Sequence, residues 1–214
     1  MKNIALSELE RDPGLYREVA RVLEAEGLVC FPGRGAYRIA ADLTSPKAVG
    51  LLIQSKRRTG KAPALVFVAD EEMLARVAAE VSETARRLAQ AFWPGSLTLL
   101  FEAHPDLPQK VVKPLTKANG RLGVRVPANE VARRIVAEFG GPLLISSANV
   151  TRKQGSASPA QIRKNFMGKI DLFVDAGDLP PGGSSTVVLI DGDACKVTRP
   201  GSITAEEIHK AAGG

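Results

Sequence analysis

Short apolar runs recur along the 214-residue chain, and stretches with helical periodicity separate them. Apolar runs of about four to eight residues bounded by glycine, proline or polar clusters are typical of buried strands. The runs that predict strands are LVCF at 28–31, ALVFV at 64–68, SLTLLF at 96–101, LGVRV at 122–126, LLIS at 143–146, DLFV at 171–174 and STVVLI at 185–190. The segments YRIAADL at 37–43 and CKVTR at 195–199 are predicted to be extended as well.

Helices are predicted between these strands, where apolar residues recur three and four positions apart. Asp12 and Pro13 have the form of an N-cap and a first helical position, and Gly27 ends that pattern. The other predicted helices begin near Ser45 and Pro46, cover about 70–79, 82–92 and 129–139, follow Ser158 and Pro159, and end the chain from about Thr204.

Strands and helices alternate without an internal repeat, a low-complexity segment or a long linker. This pattern predicts a mixed α/β fold, and one domain over residues 1–214 is its simplest organisation. Glycine and proline interrupt the segment LPPGGSS at 179–185, which makes it a candidate mobile loop.

The composition, 44% hydrophobic and 24% charged, is ordinary for a soluble globular protein. No apolar run approaches the roughly 18 residues that a membrane span requires. Glu8, Glu10 and Asp12 lie where a signal peptide would need its apolar core. We therefore predict a cytoplasmic protein without a membrane partner.

Cysteine and histidine are scarce. Cys30 and Cys195 are far apart without metal-like spacing, which favours free thiols over a disulfide or a ligand pair. The two histidines, His104 and His209, lie in a loop-like segment and near the end of the last helix, where structural or surface roles are expected. Histidine-centred triads and His-rich metal sites are therefore disfavoured.

Positive charge is concentrated in three windows of the chain, whose net charge is +6. Residues 43–69, 107–129 and 139–170 contain no Asp or Glu, and each window carries five Lys or Arg residues. Any one window is equally explained by solvated loop charge. The three together favour a site for phosphate.

Two phosphate-binding motifs are excluded by their spacing. Gly33, Gly35 and Arg38 form G-x-G-x-x-R, which lacks the third glycine of the dinucleotide fingerprint, and no helix follows that would hold a pyrophosphate. Gly60 and Lys61 do not form a Walker A motif, because alanine follows the lysine where serine or threonine is required.

A cationic turn and a polar strand end remain as candidate chemistry. The segment SKRRTGKAP carries four cations, of which the dipole of the preceding helix explains one or two. Ser147 and Asn149 end a strand, where they form an ordinary Ser or Asx turn or bind a phosphate, a ribose or a carboxylate. The cations of the turn are Lys56, Arg57, Arg58 and Lys61.

Six short segments occur in a fixed order along the chain. They are Lys56-x-Arg58, WPGSLTLLF at 93–101, GVRVP at 123–127, SSAN at 146–149, STVV at 185–188 and RPGSI at 199–203. The ordered set resembles the YrdC/Sua5 family, the threonylcarbamoyl-adenylate synthases, over about residues 14–203. The resemblance implies a twisted open mixed sheet flanked by helices around a concave basic cleft, in the single-domain form without a Sua5-type C-terminal domain.

The resemblance also implies an activity and its partners. L-Threonine, bicarbonate and ATP would give threonylcarbamoyl-AMP and pyrophosphate for the tRNA modification t6A, with Mg²⁺ held by the ATP phosphates rather than by protein ligands. Binding of tRNA or double-stranded RNA, and contact with other t6A-pathway proteins, would follow. Transfer of a nucleotidyl group requires positioning and cations rather than a histidine base, which agrees with the composition.

Site residues follow from the matching motif positions. The implied catalytic set is Lys56, Arg58, Ser147 and Asn149. The implied ATP-binding set is Lys56, Arg58, Lys61, Asn149, Ser185 and Arg199. The implied substrate-binding set is Tyr37, Arg125, Ser147, Gly35 and Arg34.

One segment departs from the family pattern. Where members typically read P-T-D/E-T-x-Y-G-L, residues 32–39 read PGRGAYRI, which retains Pro32 and Tyr37 and places Arg34 at an acidic position and Arg38 at a glycine. A substrate ammonium would meet a cation there instead of a carboxylate. Three hypotheses follow: a synthase with an altered loop, a divergent paralogue that binds nucleotide or RNA with a lost or altered amino-acid substrate, and an α/β domain that binds another anionic metabolite.

Overall fold

The computed structural model describes residues 1–55, 64–116, 120–148 and 157–213. The chain forms two compact units, each built from two stretches of sequence. The first unit comprises Met1–Thr59 and Asn129–Gly182, and the second comprises Gly60–Ala128 and Gly183–Gly214.

Strands and helices alternate along the described residues. The strands are β1 Lys2–Ala5, β2 Val29–Pro32, β3 Tyr37–Asp42, β4 Ala64–Phe67, β5 Leu97–Glu102, β6 Arg121–Arg125, β7 Leu143–Ser147, β8 Leu172–Asp175, β9 Thr186–Asp191 and β10 Ala194–Arg199. The helices are α1 Leu6–Arg11, α2 Leu15–Glu24, α3 Pro46–Ser55, α4 Glu71–Ala75, α5 Glu83–Phe92, α6 Gln109–Leu115, α7 Glu130–Phe139, α8 Pro159–Phe166 and α9 Ala205–Ala212.

The first unit contains strands in the order β1-β8-β2-β3-β7. β1, β8 and β2 are parallel, whereas β3 is antiparallel to both β2 and β7. β3 follows β2 through the short loop Gly33–Ala36, which is long enough for an antiparallel pair only. Consequently β2, β7 and β8 all end at the same edge of this sheet.

Helices cover the first unit with apolar stripes. α2 buries Tyr16, Val19, Ala20 and Leu23, and it packs against α7. Asn129 caps α7 by accepting a hydrogen bond from the Ala132 N–H at 2.9 Å. The strand side chains beneath are fully buried, among them Phe31, Ile39, Leu144 and Phe173.

The second unit contains strands in the order β4-β6-β5-β9-β10. β4 is parallel to β6 and β5 is parallel to β9, while the β5–β6 and β9–β10 pairs are antiparallel. β4 and β6 therefore end at the edge where β5 and β9 begin and where β10 ends. α5 and α9 pack against each other in this unit.

The mixed α/β fold class is confirmed, and the predicted strands and most predicted helices are present. The helix predicted from Asp12 begins two residues after Pro13, at Leu15. The prediction was wrong there because the Asp12 carboxylate accepts a hydrogen bond from the Gly14 N–H at 2.9 Å, which makes a turn before the helix. The elements β1, α1 and α6 were not predicted.

Within the described part of the chain, no helix combines the length and the apolar character that crossing a membrane requires. Both cysteines are free thiols, as the sequence predicts. Cys30 is buried in β2, whereas Cys195 is only partly covered on β10.

Candidate functional site

In the first unit, two predicted site segments meet at the edge where β2, β7 and β8 end. The loop Gly33–Ala36 leaves β2 there, and Arg38 at the start of β3 pairs with Ser147 at the end of β7. The next amide, Ala148 N–H, donates to the Tyr37 carbonyl at 2.8 Å. Ligands of open α/β sheets commonly bind at the carboxyl ends of strands, so this edge is a candidate binding region.

Tyr37 is fully buried, and its hydroxyl acts both as a hydrogen-bond donor and as an acceptor. The hydroxyl donates to the Gly177 carbonyl at 2.8 Å and accepts from the Ala176 N–H at 2.9 Å. Its ring packs edge-to-face on Phe173, with centroids 5.1 Å apart. The structure thus gives Tyr37 a positioning role, and its predicted contact with a substrate stays a prediction.

The altered loop is a tight turn with an exposed tip. The Gly33 N–H donates to the Ala36 carbonyl at 3.1 Å, and Arg34 lies exposed at the tip. Gly35 has a φ of +71°, a conformation that glycine adopts without strain. The side chain of the half-buried Arg38 packs against Gly33, since a Cβ built on Gly33 would lie 2.7 Å from the Arg38 Cγ.

In the second unit, Arg125 ends β6 beside Phe67, the last residue of β4. The Arg125 guanidinium carbon lies 5.6 Å from the Phe67 ring centroid, which is a cation–π distance. Phe67 is buried and Arg125 is half-buried. A planar guanidinium held at a strand end is suited to a carboxylate or a phosphate.

Ser185 and Arg199, predicted from separate motifs, bind each other. Arg199 Nη2 donates to the Ser185 carbonyl at 3.0 Å and to its Oγ at 2.9 Å. The Ser185 Oγ also lies 3.1 Å from the Thr98 Oγ1. The structure therefore joins STVV, RPGSI and SLTLLF into one polar cluster at this edge.

Backbone contacts hold the same cluster together. A Cβ on Gly201 would lie 2.3 Å from the Thr186 nitrogen, so only glycine lets the RPGSI segment approach so closely. The Ser202 N–H donates to the Ser184 carbonyl at 3.2 Å, and the Thr186 Oγ1 donates to the Ile203 carbonyl at 2.7 Å. The conformation of this segment is thus set by contacts between distant parts of the sequence.

The described site residues fall into two clusters, one in each unit. The first cluster contains Arg34, Gly35, Tyr37 and Ser147, and the second contains Arg125, Ser185 and Arg199. Four predicted residues lie outside the described residues: Lys56, Arg58, Lys61 and Asn149.

Sequence reasoning missed two polar residues of these clusters. Thr98 is buried within an otherwise apolar strand, and Asp175 ends β8, one residue beyond the predicted strand DLFV. A buried polar side chain needs a partner, so the single threonine in SLTLLF was the available signal for the first. The residues after Asp175 include Gly177, a turn signal that was available for the second.

Replacing Tyr37 by phenylalanine is expected to lower the free energy of unfolding by about 2 kcal/mol, because the Ala176 N–H and the Gly177 carbonyl both lose the hydroxyl that binds them. Burial raises the pKa of Tyr37 to about 12 from an ordinary 10.0. Stabilisation by the protonated hydroxyl is therefore complete below pH 10 and is lost as the pH rises through 12. Urea unfolding at several pH values measures this, and a wild-type advantage that stays constant from pH 10 to 12 would contradict it.

The fold and its strand-end clusters define an α/β protein that presents arginine, serine and backbone amides at its sheet edges. Residues 21–201 match the model of the Sua5/YciO/YrdC family, described as "Telomere recombination", and the chain belongs to this family. The family resemblance predicted from the ordered motifs is thereby confirmed.

The similar curated proteins include threonylcarbamoyl-AMP synthases. The chain is 33% identical over 188 residues to that of Pyrococcus abyssi, covering 87% of this chain and 54% of that protein. It is 30% identical over 206 residues to that of Bacillus subtilis, covering 96% of this chain and 59% of that protein. A putative threonylcarbamoyl-AMP synthase of Mycobacterium tuberculosis is 30% identical over 204 residues, covering 95% and 91%. The chain thus spans somewhat more than half the length of the first two relatives.

Solved structures agree with the fold. P. abyssi Sua5 complexed with L-threonine superimposes with a TM-score of 0.84 at 30% identity, covering 99% of this chain and 60% of that chain. E. coli YciO superimposes with a TM-score of 0.78 at 18% identity, covering 92% and 94%, and this likeness concerns the fold alone.

Proposed function

We propose that the chain is an L-threonylcarbamoyladenylate synthase domain that forms threonylcarbamoyl-AMP and pyrophosphate from L-threonine, bicarbonate and ATP. The observation that carries the proposal is the 33% identity over 188 residues with the P. abyssi synthase. The product would serve tRNA t6A modification in the cytoplasm, with tRNA or double-stranded RNA and t6A-pathway proteins as partners.

The second-unit cluster is suited to the nucleotide half of this reaction. The product requires that a carbamate oxygen bond to the α-phosphorus while pyrophosphate leaves, so negative charge grows on phosphoryl oxygens. Pre-positioned cations and hydrogen-bond donors lower the energy of such a state. Arg199 and Ser185 are held together there, and Arg125 would take a phosphate or a carboxylate. Lys56, Arg58 and Lys61 are proposed to bind the same phosphates.

Mg²⁺ on the ATP phosphates would neutralise part of the phosphate charge and orient the chain of phosphates. Within the described residues, no group of three or more His, Cys, Asp or Glu side chains lies together in a way that could hold a metal ion. We propose that the metal enters with its nucleotide and is held by phosphate oxygens.

The first-unit cluster is proposed to bind the amino acid and its carbamoyl group. Ser147 and Asn149 would supply a hydroxyl and an amide, and the loop Gly33–Ala36 would line the substrate. Arg34 lies exposed at the tip of this loop. L-Threonine is the ligand of the P. abyssi Sua5 complex, and we propose it here as the substrate.

A second candidate function is favoured by the position of Arg38. Arg38 pairs in the strand register with Ser147, and its half-buried side chain lies beside Gly33 of the loop, so this part of the site is more basic than the family pattern. A paralogue that binds nucleotide or RNA with an altered amino-acid substrate would fit this arrangement. RNA affinity that falls steeply with salt is expected on that alternative, and affinity that is insensitive to salt would contradict it.

The test is pyrophosphate release from ATP, Mg²⁺ and bicarbonate, with and without L-threonine. The wild type is compared with a double variant, Arg34→Glu with Arg38→Gly, which restores the family charge pattern. Position 33 is left as glycine, because a Cβ there would lie 2.8 Å from the Ala36 carbonyl oxygen. Lys110→Glu, a charge reversal at an exposed residue of α6, is the matched control.

Threonine-dependent release by the wild type would support the synthase. Release by the double variant alone would show an intact nucleotide site beside a rebuilt amino-acid site, which favours the second candidate. No pyrophosphate release by the wild type, the double variant or the control would contradict the synthase proposal.

A further inference from the structure

We infer that Asp175 is a positioning residue that fixes the conformation of the loop Gly33–Ala36 through the turn Ala176–Gly177. We infer also that the segment 178–182 supports that loop by packing against its backbone. The catalytic consequence of this inference rests on the proposed function. The structural part does not, since it concerns only how one loop is held.

Hydrogen bonds fasten the turn on two sides. The Asp175 Oδ1 accepts from the Gly177 N–H at 2.9 Å. On the other side, the Tyr37 hydroxyl binds both the Ala176 N–H and the Gly177 carbonyl. Because Tyr37 is the residue that directly follows the loop, the position of the turn is transmitted to the start of β3.

The other oxygen of Asp175 has a different partner. Arg163 Nη2 donates to the Asp175 Oδ2 at 2.5 Å, and the Arg163 guanidinium carbon lies 5.6 Å from the Phe173 ring centroid. Asp175 is mostly covered, whereas Arg163 is partly exposed on α8. The ion pair and the turn bond therefore use separate oxygens, and mutations can remove one without the other.

At its C-terminal end, the segment 178–182 contacts the loop through backbone atoms of Gly182 and Gly35. A Cβ on Gly35 would lie 2.4 Å from the Gly182 nitrogen, and a Cβ on Gly182 would lie 2.7 Å from the Gly35 nitrogen. No side chain fits at either position without a shift. The segment from Gly177 to Gly182 is thus held at one end by Tyr37, which follows the loop, and at the other end by Gly35 within the loop.

This arrangement gives the segment 178–182 a role that its sequence did not suggest. The sequence predicted a candidate mobile loop at 179–185, where the prolines and glycines are exposed. We infer instead that Gly182 supports the loop at Gly35 and that Asp175 anchors the turn Ala176–Gly177, which directly precedes this segment. Displacement at either anchor should loosen the loop.

The experiment is amide hydrogen exchange of peptides covering residues 31–37 in full-length variants. Asp175→Ala should speed exchange roughly tenfold, because the turn loses its acceptor. Asp175→Asn should stay near wild type, since the amide oxygen still accepts from the Gly177 N–H. Arg163→Gln is the matched control, because it removes the ion pair and leaves the turn bond.

Gly182→Ala should speed exchange, and Gly183→Ala should not, since a Cβ there meets nothing within 4 Å.

Steady-state kinetics distinguish a positioning role from a general structural one, because a general structural role would not change one KM alone. In Asp175→Ala the KM for L-threonine should rise about tenfold while the KM for ATP stays unchanged, because only the amino-acid loop has loosened. Equal exchange in Asp175→Ala and Arg163→Gln would overturn the inference, as would a parallel rise of both KM values. An inactive wild type would count against the proposed function alone, since the exchange comparison would still decide how the loop is held.

Discussion

Gly95→Ala should lower the free energy of unfolding by about 3 kcal/mol or more, because the position has no space for a methyl group. A Cβ on Gly95 would lie 1.9 Å from the Phe92 carbonyl oxygen, which belongs to the last turn of α5. The Gly95 N–H also donates to the Val126 carbonyl at 3.0 Å, so the glycine cannot move away without losing that bond. Chemical denaturation of purified variants measures the loss.

Gly50→Ala is the matched control for this prediction. Gly50 lies within α3, and a Cβ there meets nothing within 4 Å. Alanine should therefore raise the free energy of unfolding by about 0.5–1 kcal/mol, because it reduces the freedom of the unfolded chain. Equal losses in the two variants would show that the contact with Phe92 is not the cause.

Arg125→Lys should reduce kcat/KM of the proposed synthase about 100-fold, which corresponds to loss of roughly 2.7 kcal/mol of transition-state stabilisation. The guanidinium carbon lies 5.6 Å from the Phe67 ring centroid, and the planar guanidinium is proposed to bind a carboxylate or a phosphate with two donors. An ammonium keeps the charge but not the bidentate geometry. Steady-state kinetics with each substrate varied in turn measures the effect.

Arg121→Lys is the control for charge and burial. Arg121 begins the same strand, is half-buried, and has its own partners in the Ile190 carbonyl at 2.9 Å and the carboxylates of Glu102 and Asp191. This variant should keep its kcat/KM, because its guanidinium lies at the opposite end of β6 from Arg125. Similar kinetic losses in the two variants would remove the case for Arg125 as a ligand-binding residue.

The sequence predicted elements best where local rules agree. Asn129 and Ser82 were predicted at helix starts, and each accepts a hydrogen bond from the amide three residues on. The strand LVCF, buried throughout its run, needed no further information. In these places the capping residue and the apolar period pointed to one structure.

The elements that were missed have weak local signals. β1 has exposed Lys2 and Asn3 and becomes a strand because it pairs with β8, more than 160 residues further along the chain. α6 contains Pro114 and buries only Val111 and Leu115, so its periodicity is short. Pairing with a distant strand overrides local propensity in β1.

The sequence alone determined the type and order of most elements, the family, and the motif positions from which the candidate site was predicted. These depend on contacts within a few residues or on the ordered motifs themselves. Only the tertiary structure decided which side chains meet. The Tyr37 hydroxyl binds a carbonyl 140 residues away, and Arg199 binds Ser185 across a strand pair. Such contacts depend on strand register and on the close backbone approach at Gly35 and Gly201. Burial of the sheet faces sets the register, and no local sequence pattern encodes it.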